Sequence, residues 1–205
     1  SAASDVYKRQ RFDDEVDLGI LFYEAKKYFA NILWPYAKLT DKPLAKAAAL
    51  DLKMIATAHG IIWRSHIQEI IAKYAAWGKG VSGSSVVIAY DTMWGATEQM
   101  ARAVLEGVVS AGSDAVLLRM NETPNSTAVA DLFEAGGMII GSSTLNSGML
   151  PTMGSLLVYL KGLNPTGKKA AVFGTYGWAG GAQKDMESLL TAAGFELEPG
   201  FTCKW

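Results

Sequence analysis

The sequence has few of the features that would place it in a specialised class of proteins. It contains one cysteine, Cys203, so no internal disulfide can form, and this usage is typical of a reducing compartment. No apolar run approaches the roughly 18 residues that a membrane span needs, and no signal-peptide pattern is present. The formal net charge of -1 provides no excess of positive charge for nucleic acid or an anionic membrane. We therefore expect a cytoplasmic protein with no nucleic-acid or membrane partner.

Two common nucleotide-binding motifs are also missing. A P-loop requires Gly-x-x-x-x-Gly-Lys-Ser/Thr, and a dinucleotide site requires Gly-x-Gly-x-x-Gly. Neither occurs between Val86 and Leu105, where an apolar strand pattern passes through a short loop into a helical pattern. These absences exclude both motif classes at this loop and favour a site for the terminal phosphate of a mononucleotide.

The segment from Ser84 to Glu98 has the order of a phosphate site, namely a strand, a hydroxyl-rich loop and a helix. Val86 to Tyr90 is apolar and rich in β-branched residues, which is typical of a strand buried on both faces of a parallel sheet. The loop offers the hydroxyls of Thr92 and Thr97 and the N–H groups at the positive end of the following helix. We therefore predict that the loop binds an anion without a lysine.

The chain after residue 84 alternates strand and helix patterns with some regularity. Repeated β-α units of this kind predict an α/β fold, a doubly wound parallel five-stranded sheet whose ligands bind at the carboxyl ends of the strands. The predicted strands are 86–90, 115–119, 137–143, 169–175 and a fifth that begins at 195, and the predicted helices are 97–112, 126–135, 152–160 and 181–193.

Three loops leave the carboxyl ends of these strands, and their compositions suit one ligand. The first supplies hydroxyls and backbone N–H groups, the second is polar, and the third combines aromatic rings with glycines that let backbone approach a ligand closely. A phosphate cradle beside a flat aromatic surface suits flavin mononucleotide, FMN. The predicted FMN-binding residues, loop by loop, are Thr92, Met93, Trp94, Gly95, Ala96 and Thr97; Ser143, Thr144, Leu145, Asn146 and Ser147; and Thr175, Tyr176, Gly177, Trp178 and Gly180.

The first 84 residues are organised differently. Residues 1–10 are expected to be a disordered tail or the translation of a sequencing adapter. Residues 11–77 are predicted to be mostly helical, with helices at 13–34, 43–50 and 67–77, Asp13 or Asp14 as the first cap, Pro35 as the stop of the first helix, and a short strand at 52–57. Residues 78–84 are small and glycine-rich, which predicts a linker.

His59 is the residue of this first part with possible metal chemistry. It follows the predicted strand and precedes Gly60, a position that leaves an imidazole exposed at a rim. The other histidine, His66, stands at the entry to a predicted helix with no ligand cluster around it. From the residues alone, His59 is either a metal ligand or an ordinary hydrogen-bonded side chain, and no complete metal site can be assembled.

The chain resembles the flavodiiron proteins, also called A-type flavoproteins, from Phe12 onward. Tyr90–Thr97 and Phe173–Trp178 are similar to segments of that family's flavodoxin-like domain. Glu24–Leu33 and His59–Arg64 are similar to the end of its metallo-β-lactamase-like domain. The resemblance implies that residues 11–77 are the C-terminal part of the latter domain and that residues 85–205 are an FMN-binding flavodoxin-like domain.

The family reduces dioxygen to water or nitric oxide to nitrous oxide at a di-iron centre supplied by the flavin. The resemblance implies that His59 corresponds to the last iron-ligating histidine, that rubredoxin or a flavin reductase is the electron donor, and that the parent protein is a head-to-tail homodimer. The family's His-x-Glu-x-Asp-His motif is absent here, so we expect an FMN-binding electron-transfer module whose di-iron site is incomplete. We also expect the family's last helix to be missing, which would expose apolar surface and lower stability.

Two other functions stay open at this stage. The sheet could be a docking or assembly domain without flavin, with Trp94 and Trp178 in an interface, where aromatic residues are enriched. The chain could also be a flavin-dependent quinone reductase, although the N-terminal resemblance speaks against it. The hydroxyls of the first loop favour flavin binding over docking.

Overall fold

A computed structural model describes residues 11–80 and 82–205 of the chain. The predicted tail at residues 1–10 lies outside the described residues. The chain divides between residues 80 and 81 into two compact units. This division falls inside the segment 78–84, and each unit is described here by itself.

The N-terminal unit, residues 11–80, is largely helical. Its α-helices are α1 (Leu18–Tyr28), α2 (Asp41–Ala48) and α3 (Ile67–Gly78), and a short 3-10 turn at Asp13–Glu15 precedes them. After α1 the chain stays helical through a π-helical turn, Phe29–Leu33, and a 3-10 segment, Trp34–Leu39. The predicted stop at Pro35 is therefore wrong, because a proline in the first turn of a helical segment gives up no intrahelical hydrogen bond.

The strand predicted at 52–57 does not form. Only Ile55 pairs, through a single antiparallel bridge in which its N–H and C=O bond to Trp63 at 2.8 and 3.0 Å. The chain turns back between these two residues, and Gly60 has a left-handed φ of 92° that favours glycine. The local sequence was therefore a misleading signal, because a strand needs a partner long enough to satisfy the hydrogen bonds of its backbone.

The predicted cap of the first helix is also wrong. Asp17, rather than Asp13 or Asp14, is the N-cap of α1, and its Oδ1 accepts the N–H of Ile20 at 2.9 Å. The cap lies three or four residues later than expected because the chain makes the separate 3-10 turn at Asp13–Glu15 before α1 begins.

Asp13 has a different partner, far away in sequence. Its carboxylate is buried and accepts the N–H groups of Arg64, Ser65 and His66 at 2.9, 3.1 and 2.6 Å, at the entry to α3. Burial would raise the pKa of Asp13, but these three backbone bonds outweigh it and hold the pKa below its ordinary value. The carboxylate thus ties the start of the N-terminal unit to its last helix.

The core of the N-terminal unit is small and aromatic. Phe29 is fully buried, and its ring centroid lies 5.3 Å from that of Tyr74 and 5.6 Å from that of Trp77. Beside this cluster, α1, α2 and α3 border a cavity of about 1170 Å³ that is lined mainly by apolar side chains. Other apolar residues are open to solvent, with Ile20 66% and Leu39 70% exposed.

The C-terminal unit is built on a parallel sheet with the strand order β2-β1-β3-β4-β5, and β6 also pairs with β4. The predicted doubly wound α/β fold is confirmed, and the 2-1-3-4-5 order is that of flavodoxin-like folds. The strands are β1 (Val86–Asp91), β2 (Ala115–Arg119), β3 (Gly137–Ser143), β4 (Lys169–Tyr176), β5 (Glu196–Leu197) and β6 (Phe201–Lys204). The helices are α4 (Ala96–Ser110), α5 (Asn125–Glu134), α6 (Pro151–Leu163) and α7 (Ala182–Ala192).

The predicted fifth strand is two short strands on the same edge of β4. β5 pairs with Lys169 and Ala170, and β6 pairs with Phe173 to Tyr176. Pro199 lies in the interruption, where it has no N–H to donate to a ladder. All four residues of β6 are exposed, although the ring of Phe201 stacks on Phe173 at a centroid distance of 6.3 Å.

The core of the C-terminal unit extends along the sheet and its covering helices. Ile88, Ile140, Leu156 and Phe173 are completely buried. The fit is tight at Gly141 of β3, where a Cβ would lie 2.1 Å from the ring of Phe173 on the neighbouring strand. Among the helices of residues 11–80 and 82–205, none has both the length and the apolar character to cross a membrane.

Candidate functional site

The three predicted loops leave neighbouring strands at one edge of the sheet. β3 lies between β1 and β4 in parallel register, so the carboxyl ends of all three strands share that edge. Loop 1 (92–95) joins β1 to α4, loop 2 (144–150) joins β3 to α6, and loop 3 (177–181) joins β4 to α7. This edge is where doubly wound sheets bind their ligands.

Loop 1 turns sharply into α4 through Gly95. This residue has a left-handed φ of 87°, and a Cβ placed on it would meet no atom within 4 Å, so the backbone faces open space. Its N–H donates to Oγ1 of Thr92 at 3.0 Å. The N–H groups of Ala96 and Thr97 begin the helix, where no intrahelical acceptor is available, and the helix dipole adds positive potential.

Several backbone donors of loop 1 are already used within the protein. The N–H of Thr92 donates to Oδ1 of Asp91 at 2.8 Å, and the N–H of Met93 donates to Oγ of Ser143 at 3.3 Å. The Thr92 hydroxyl accepts from Gly95 and keeps its own proton for another acceptor. The donors oriented toward an anion are therefore fewer than the sequence suggests.

The buried carboxylate of Asp91 holds the start of loop 1 in place. This role was not predicted from the sequence. Asp91 ends β1 and is 7% exposed, and its Oδ2 accepts the hydroxyl of Thr152, in the first turn of α6, at 2.5 Å. Together with the Thr92 bond, this contact connects loop 1 to the helix that follows loop 2. The sequence signal that could have indicated this role is an aspartate at the end of a strand, directly before a threonine.

Three buried hydroxyl groups, each on an element that adjoins one of the loops, lie close together at this end of the sheet. Oγ1 of Thr97 lies 2.8 Å from Oγ of Ser143 and 2.8 Å from Oγ1 of Thr175. The third pair, Thr175 and Ser143, is 3.5 Å apart. We call these three side chains the hydroxyl triad. Thr97 is completely buried, so its hydroxyl faces the two neighbouring strands.

Loop 2 begins with a tight two-residue turn. Leu145 and Gly148 exchange N–H···O=C bonds of 2.9 Å in both directions, and Asn146 and Ser147 between them have φ values of 50° and 61°. Two consecutive positive φ values are typical of a type I′ turn. Just before it, the N–H of Thr144 donates to the carbonyl of Thr175 at 2.8 Å, which joins loop 2 to β4.

Loop 3 carries an open aromatic surface beside glycine backbone. Trp178 is 94% exposed, and Trp94 of loop 1 is 88% exposed. A Cβ on Gly177 would meet no atom within 4 Å, so ligand atoms can approach the backbone there. At the end of the loop, a Cβ on Gly181 would lie 1.9 Å from the carbonyl oxygen of Ser147. Loops 2 and 3 therefore contact each other directly.

His59 lies in the other unit, in the turn between Ile55 and Trp63. Its ring is exposed, and its centroid lies 5.8 Å from the ring centroid of Tyr28. Among the described residues, no group of three or more His, Cys, Asp and Glu side chains is arranged to hold a metal ion.

The strand order and the three loops define a flavodoxin-like domain, and comparison with known proteins agrees. The family model described as Flavodoxin matches residues 88–203. Because this match covers more than half of the chain, the chain belongs to the flavodoxin family, and this membership implies FMN as its cofactor.

Relatives extend the similarity into the N-terminal unit. The chain is 44% identical to a protein from Moorella thermoacetica named nitric oxide reductase, over 95% of this chain and 50% of that protein. It resembles the structure of rubredoxin oxygen:oxidoreductase from Desulfovibrio gigas, with a TM-score of 0.89, 32% identity, and coverage of 96% of this chain and 50% of that one. The flavodiiron protein of Giardia intestinalis gives a TM-score of 0.88 and 30% identity, with coverage of 97% and 50%.

These comparisons confirm the predicted resemblance to flavodiiron proteins. The chain spans about half the length of the relatives it matches. Its C-terminal unit is therefore the flavodoxin-like domain of a protein related to nitric oxide and oxygen reductases.

The residues at the edge of the sheet fit FMN. The start of α4 offers N–H groups and the Thr92 hydroxyl to a phosphate, and the open backbone at Gly95 and Gly177 leaves room that a side chain would fill. The exposed ring of Trp178 offers a flat apolar surface to an aromatic ligand.

Proposed function

We propose that this chain binds FMN at the three-loop site and acts as the electron-transfer module of a larger nitric oxide or oxygen reductase. The observation that carries the proposal is the convergence of loops 1, 2 and 3 around the start of α4, where the first N–H groups of the helix, which have no intrahelical acceptor, lie beside the open backbone of Gly95. When bound, FMN supplies the redox chemistry, and the protein sets its orientation and surroundings.

Each loop has a separate part in this proposal. The phosphate is held by the N–H groups of Ala96 and Thr97 and by the Thr92 hydroxyl, without a cationic side chain. Asn146 and Ser147 of the loop 2 turn line the ribityl chain and the ring edge. Trp178 covers a face of the ring, with the backbone of Gly177 beside it. The proposed FMN site is also bordered by Met93, Trp94, Leu145, Tyr176 and Gly180.

The remaining proposals concern the whole protein and rest on the resemblance to relatives. We infer that residues 11–77 belong to a metallo-β-lactamase-like domain and that His59 is a ligand of a di-iron centre completed by other residues of that domain. One relative is named rubredoxin oxygen:oxidoreductase, which supports rubredoxin as the electron donor, and a flavin reductase is the alternative donor that the family resemblance implies. A head-to-tail homodimer would bring one subunit's flavin near the other's di-iron centre.

The proposal is tested by titrating the flavin-free chain with FMN and, in parallel, with riboflavin, which lacks the phosphate. We expect saturable one-to-one binding of FMN, and riboflavin binding at least about tenfold weaker because the phosphate contacts are absent. Thr92→Val should weaken the binding of FMN alone, and Trp178→Ala should weaken the binding of both FMN and riboflavin. Thr202→Val, at an exposed threonine of β6, serves as the control and should change neither.

The result that would contradict the proposal is the absence of FMN binding by a chain whose circular dichroism and cooperative unfolding show that it is folded. That result would favour the second candidate, a docking domain. The exposure of Trp94 and Trp178 supports this alternative, because exposed aromatic side chains are also typical of interfaces.

A further inference from the structure

We propose that Asp91 and Thr152 are positioning residues that hold loop 1 in the conformation in which it binds the FMN phosphate. Neither side chain is among the residues predicted or proposed to contact the flavin. The two residues act through Thr92, whose hydroxyl is proposed to bind the phosphate. The inference deepens the proposed FMN function and rests on it for the ligand.

The contacts of Asp91 place its carboxylate between loop 1 and α6. Asp91 is the last residue of β1, and its Oδ1 accepts the N–H of Thr92 at 2.8 Å. Its Oδ2 accepts the hydroxyl of Thr152, the second residue of α6, at 2.5 Å. One side chain therefore joins the first residue of loop 1 to the helix that follows loop 2.

The start of α6 is a firm support because a second strand also holds it. Ser142 of β3 lies beside Asp91 in the parallel register, is completely buried, and accepts the N–H of Leu150 on its Oγ at 2.9 Å. Leu150 is the N-cap residue of α6 and the last residue of loop 2. Adjacent side chains of β1 and β3 thus fix the same helix start, and a bond to this helix start can position loop 1.

Burial explains why the Asp91 carboxylate stays in this position. Asp91 is 7% exposed, and a buried carboxylate is costly unless hydrogen-bond donors surround it. Both of its oxygens accept a hydrogen bond, and the positive end of the α6 dipole adds a favourable potential next to Thr152. Movement away from either donor would leave a buried charge with an unpaired oxygen, so the carboxylate has one strongly preferred place.

The fixed carboxylate acts on the phosphate site through Thr92. Its Oδ1 binds the N–H of Thr92, and the Thr92 hydroxyl oxygen accepts the N–H of Gly95 at 3.0 Å, directly before α4. Thr92 is therefore held by its backbone and by its side chain, and its hydroxyl proton is available for an anion. Loss of the backbone contact should misplace this proton and the turn at Gly95, both of which belong to the phosphate end of the proposed site.

The test compares Thr152→Val, which keeps the shape of the side chain but removes its hydroxyl, with Thr152→Ser, which keeps the hydroxyl. We expect Thr152→Val to weaken FMN binding by about tenfold, because a hydrogen bond to a charged group is lost. Riboflavin has no phosphate, so its binding should change by less than about twofold. Thr152→Ser and the exposed control Thr202→Val should bind both ligands like the unaltered chain. Equal weakening of FMN and riboflavin binding would overturn the proposal, since a merely structural role would produce it.

A double-mutant cycle tests whether the two residues act through their shared bond. Asp91→Ala should weaken FMN binding by about tenfold or more, because it removes both contacts of the carboxylate. Thr152→Val should then have no further effect in the Asp91→Ala chain, because the bond that it removes is already absent. Two effects that multiply in full would show that Asp91 and Thr152 act separately, and this result would contradict the proposed link.

Amide hydrogen exchange of the flavin-free chain separates this inference from the FMN assignment. In Thr152→Val, the amides of Thr92 and Gly95 should exchange at least about fivefold faster, since their acceptors lose their fixed positions. Exchange at these amides in Thr152→Ser and Thr202→Val should match that of the unaltered chain. Unchanged exchange in Thr152→Val, or an equal increase throughout the C-terminal unit, would count against a positioning role at loop 1.

Two further outcomes are also decisive. If the unaltered chain binds neither flavin, the proposed function fails, and the exchange measurement still decides whether Asp91 and Thr152 position loop 1. If Thr152→Val does not fold, Thr152→Ala, which places no branched apolar group against the carboxylate, provides the same comparisons with Thr152→Ser.

Discussion

The two units of the chain achieve compactness by different means. In the C-terminal unit, parallel strands covered by helices bury complete side chains such as Ile88, Ile140 and Phe173. In the N-terminal unit, a small aromatic cluster around Phe29 lies beside an apolar cavity, and the Asp13 carboxylate joins the first described turn to the entry of α3. The C-terminal unit depends mainly on packing, and the N-terminal unit depends more on one polar contact between distant segments.

This difference shows how the balance between packing and hydrogen bonding changes with the size of a core. A large core gains stability from apolar area removed from water, and it tolerates little change in volume. A small core gains less from that source, so a buried carboxylate with three backbone bonds carries a larger share of its stability. Substitutions in the two units should therefore fail for different reasons, and the following predictions are ordered by the size of the expected effect.

The largest effect is expected from Gly141→Ala in the C-terminal unit. The new Cβ would lie 2.1 Å from the ring of Phe173, which is fully buried, and close-packed interiors leave little room for a ring to shift. Overpacking of this kind should lower the free energy of unfolding by about 3 kcal/mol or more. Denaturant unfolding followed by far-UV circular dichroism measures the change, and a loss below about 1 kcal/mol would show that the core is looser than the structure indicates.

Asp13→Ala should produce the next largest loss of unfolding free energy, and this loss is in the N-terminal unit. Three backbone N–H groups would lose their acceptor, which should cost about 2–3 kcal/mol. Tryptophan emission reports this unit, since Trp63 and Trp77 are buried whereas Trp94 and Trp178 are exposed. The matched control is Asp14→Ala, which removes the partly exposed ion pair with Arg64 and a 3.3 Å hydrogen bond from the Ser65 hydroxyl, and it should have a clearly smaller effect than Asp13→Ala because exposed ion pairs contribute little.

Acid should reproduce the Asp13→Ala effect. The pKa of Asp13 is lowered in the folded chain, so its contribution is fully present above the pKa of the unfolded chain and is lost as pH falls through the lower folded pKa. The difference in unfolding free energy between the unaltered chain and Asp13→Ala should therefore shrink in acid. An equal difference at pH 7 and in strong acid would contradict the assigned hydrogen bonds.

A buried lysine provides the opposite pH dependence in the C-terminal unit. Lys168 is 4% exposed, its Nζ donates to the carbonyl oxygen of Ala135, and burial lowers its pKa to about 8 despite the nearby Glu134. Between about pH 8 and the ordinary lysine pKa of 10.5, the unfolded chain holds this proton more strongly than the folded chain. Stability from this group should therefore rise with pH across that window.

The measurement compares the unaltered chain with Lys168→Met, which has no proton to exchange at this position. We expect the unfolding free energy of the unaltered chain, relative to Lys168→Met, to increase by about 1–2 kcal/mol from pH 7.5 to pH 10. A flat difference over this range would show that the folded and unfolded chains hold the proton equally.

The smallest effect is a gain, from Gly107→Ala in α4. Gly107 is an exposed helical glycine, and a Cβ on it would meet no atom within 4 Å. Alanine loses less backbone entropy on folding and should stabilise the C-terminal unit by about 0.5–1 kcal/mol. The change is measured by the same denaturant unfolding as Gly141→Ala, and it provides the matched control for that substitution. A loss of stability would show that the helix is strained at this point.

The accuracy of the sequence predictions also differs between the two units. The strands at 115–119 and 137–143 form as predicted, because apolar β-branched runs separated by helical patterns leave few alternatives to a parallel sheet. The strand predicted at 52–57 fails because only Trp63 is available to pair with it. A local pattern is reliable where neighbouring elements repeat it and misleading where the partner is a single residue.

The candidate site shows the same limit at the level of side chains. The sequence placed Thr97, Ser143 and Thr175 at the ligand edge, since all three stand at the ends of predicted elements that share one side of the sheet. It did not show that their hydroxyls also contact one another, and their assignment to the ligand stays a prediction. It also missed Asp91 and Thr152, whose bond joins residues 61 positions apart.

The sequence by itself determined the alternation of strands and helices in the C-terminal unit, the three loops and the class of ligand they suit, because these follow from local spacing and residue chemistry. The tertiary structure decided which hydroxyls meet, which N–H groups of loop 1 remain for an anion, and that Asp13 binds the entry to α3 rather than the first helix. These contacts join residues that are distant in the chain, and their geometry depends on how the whole unit packs.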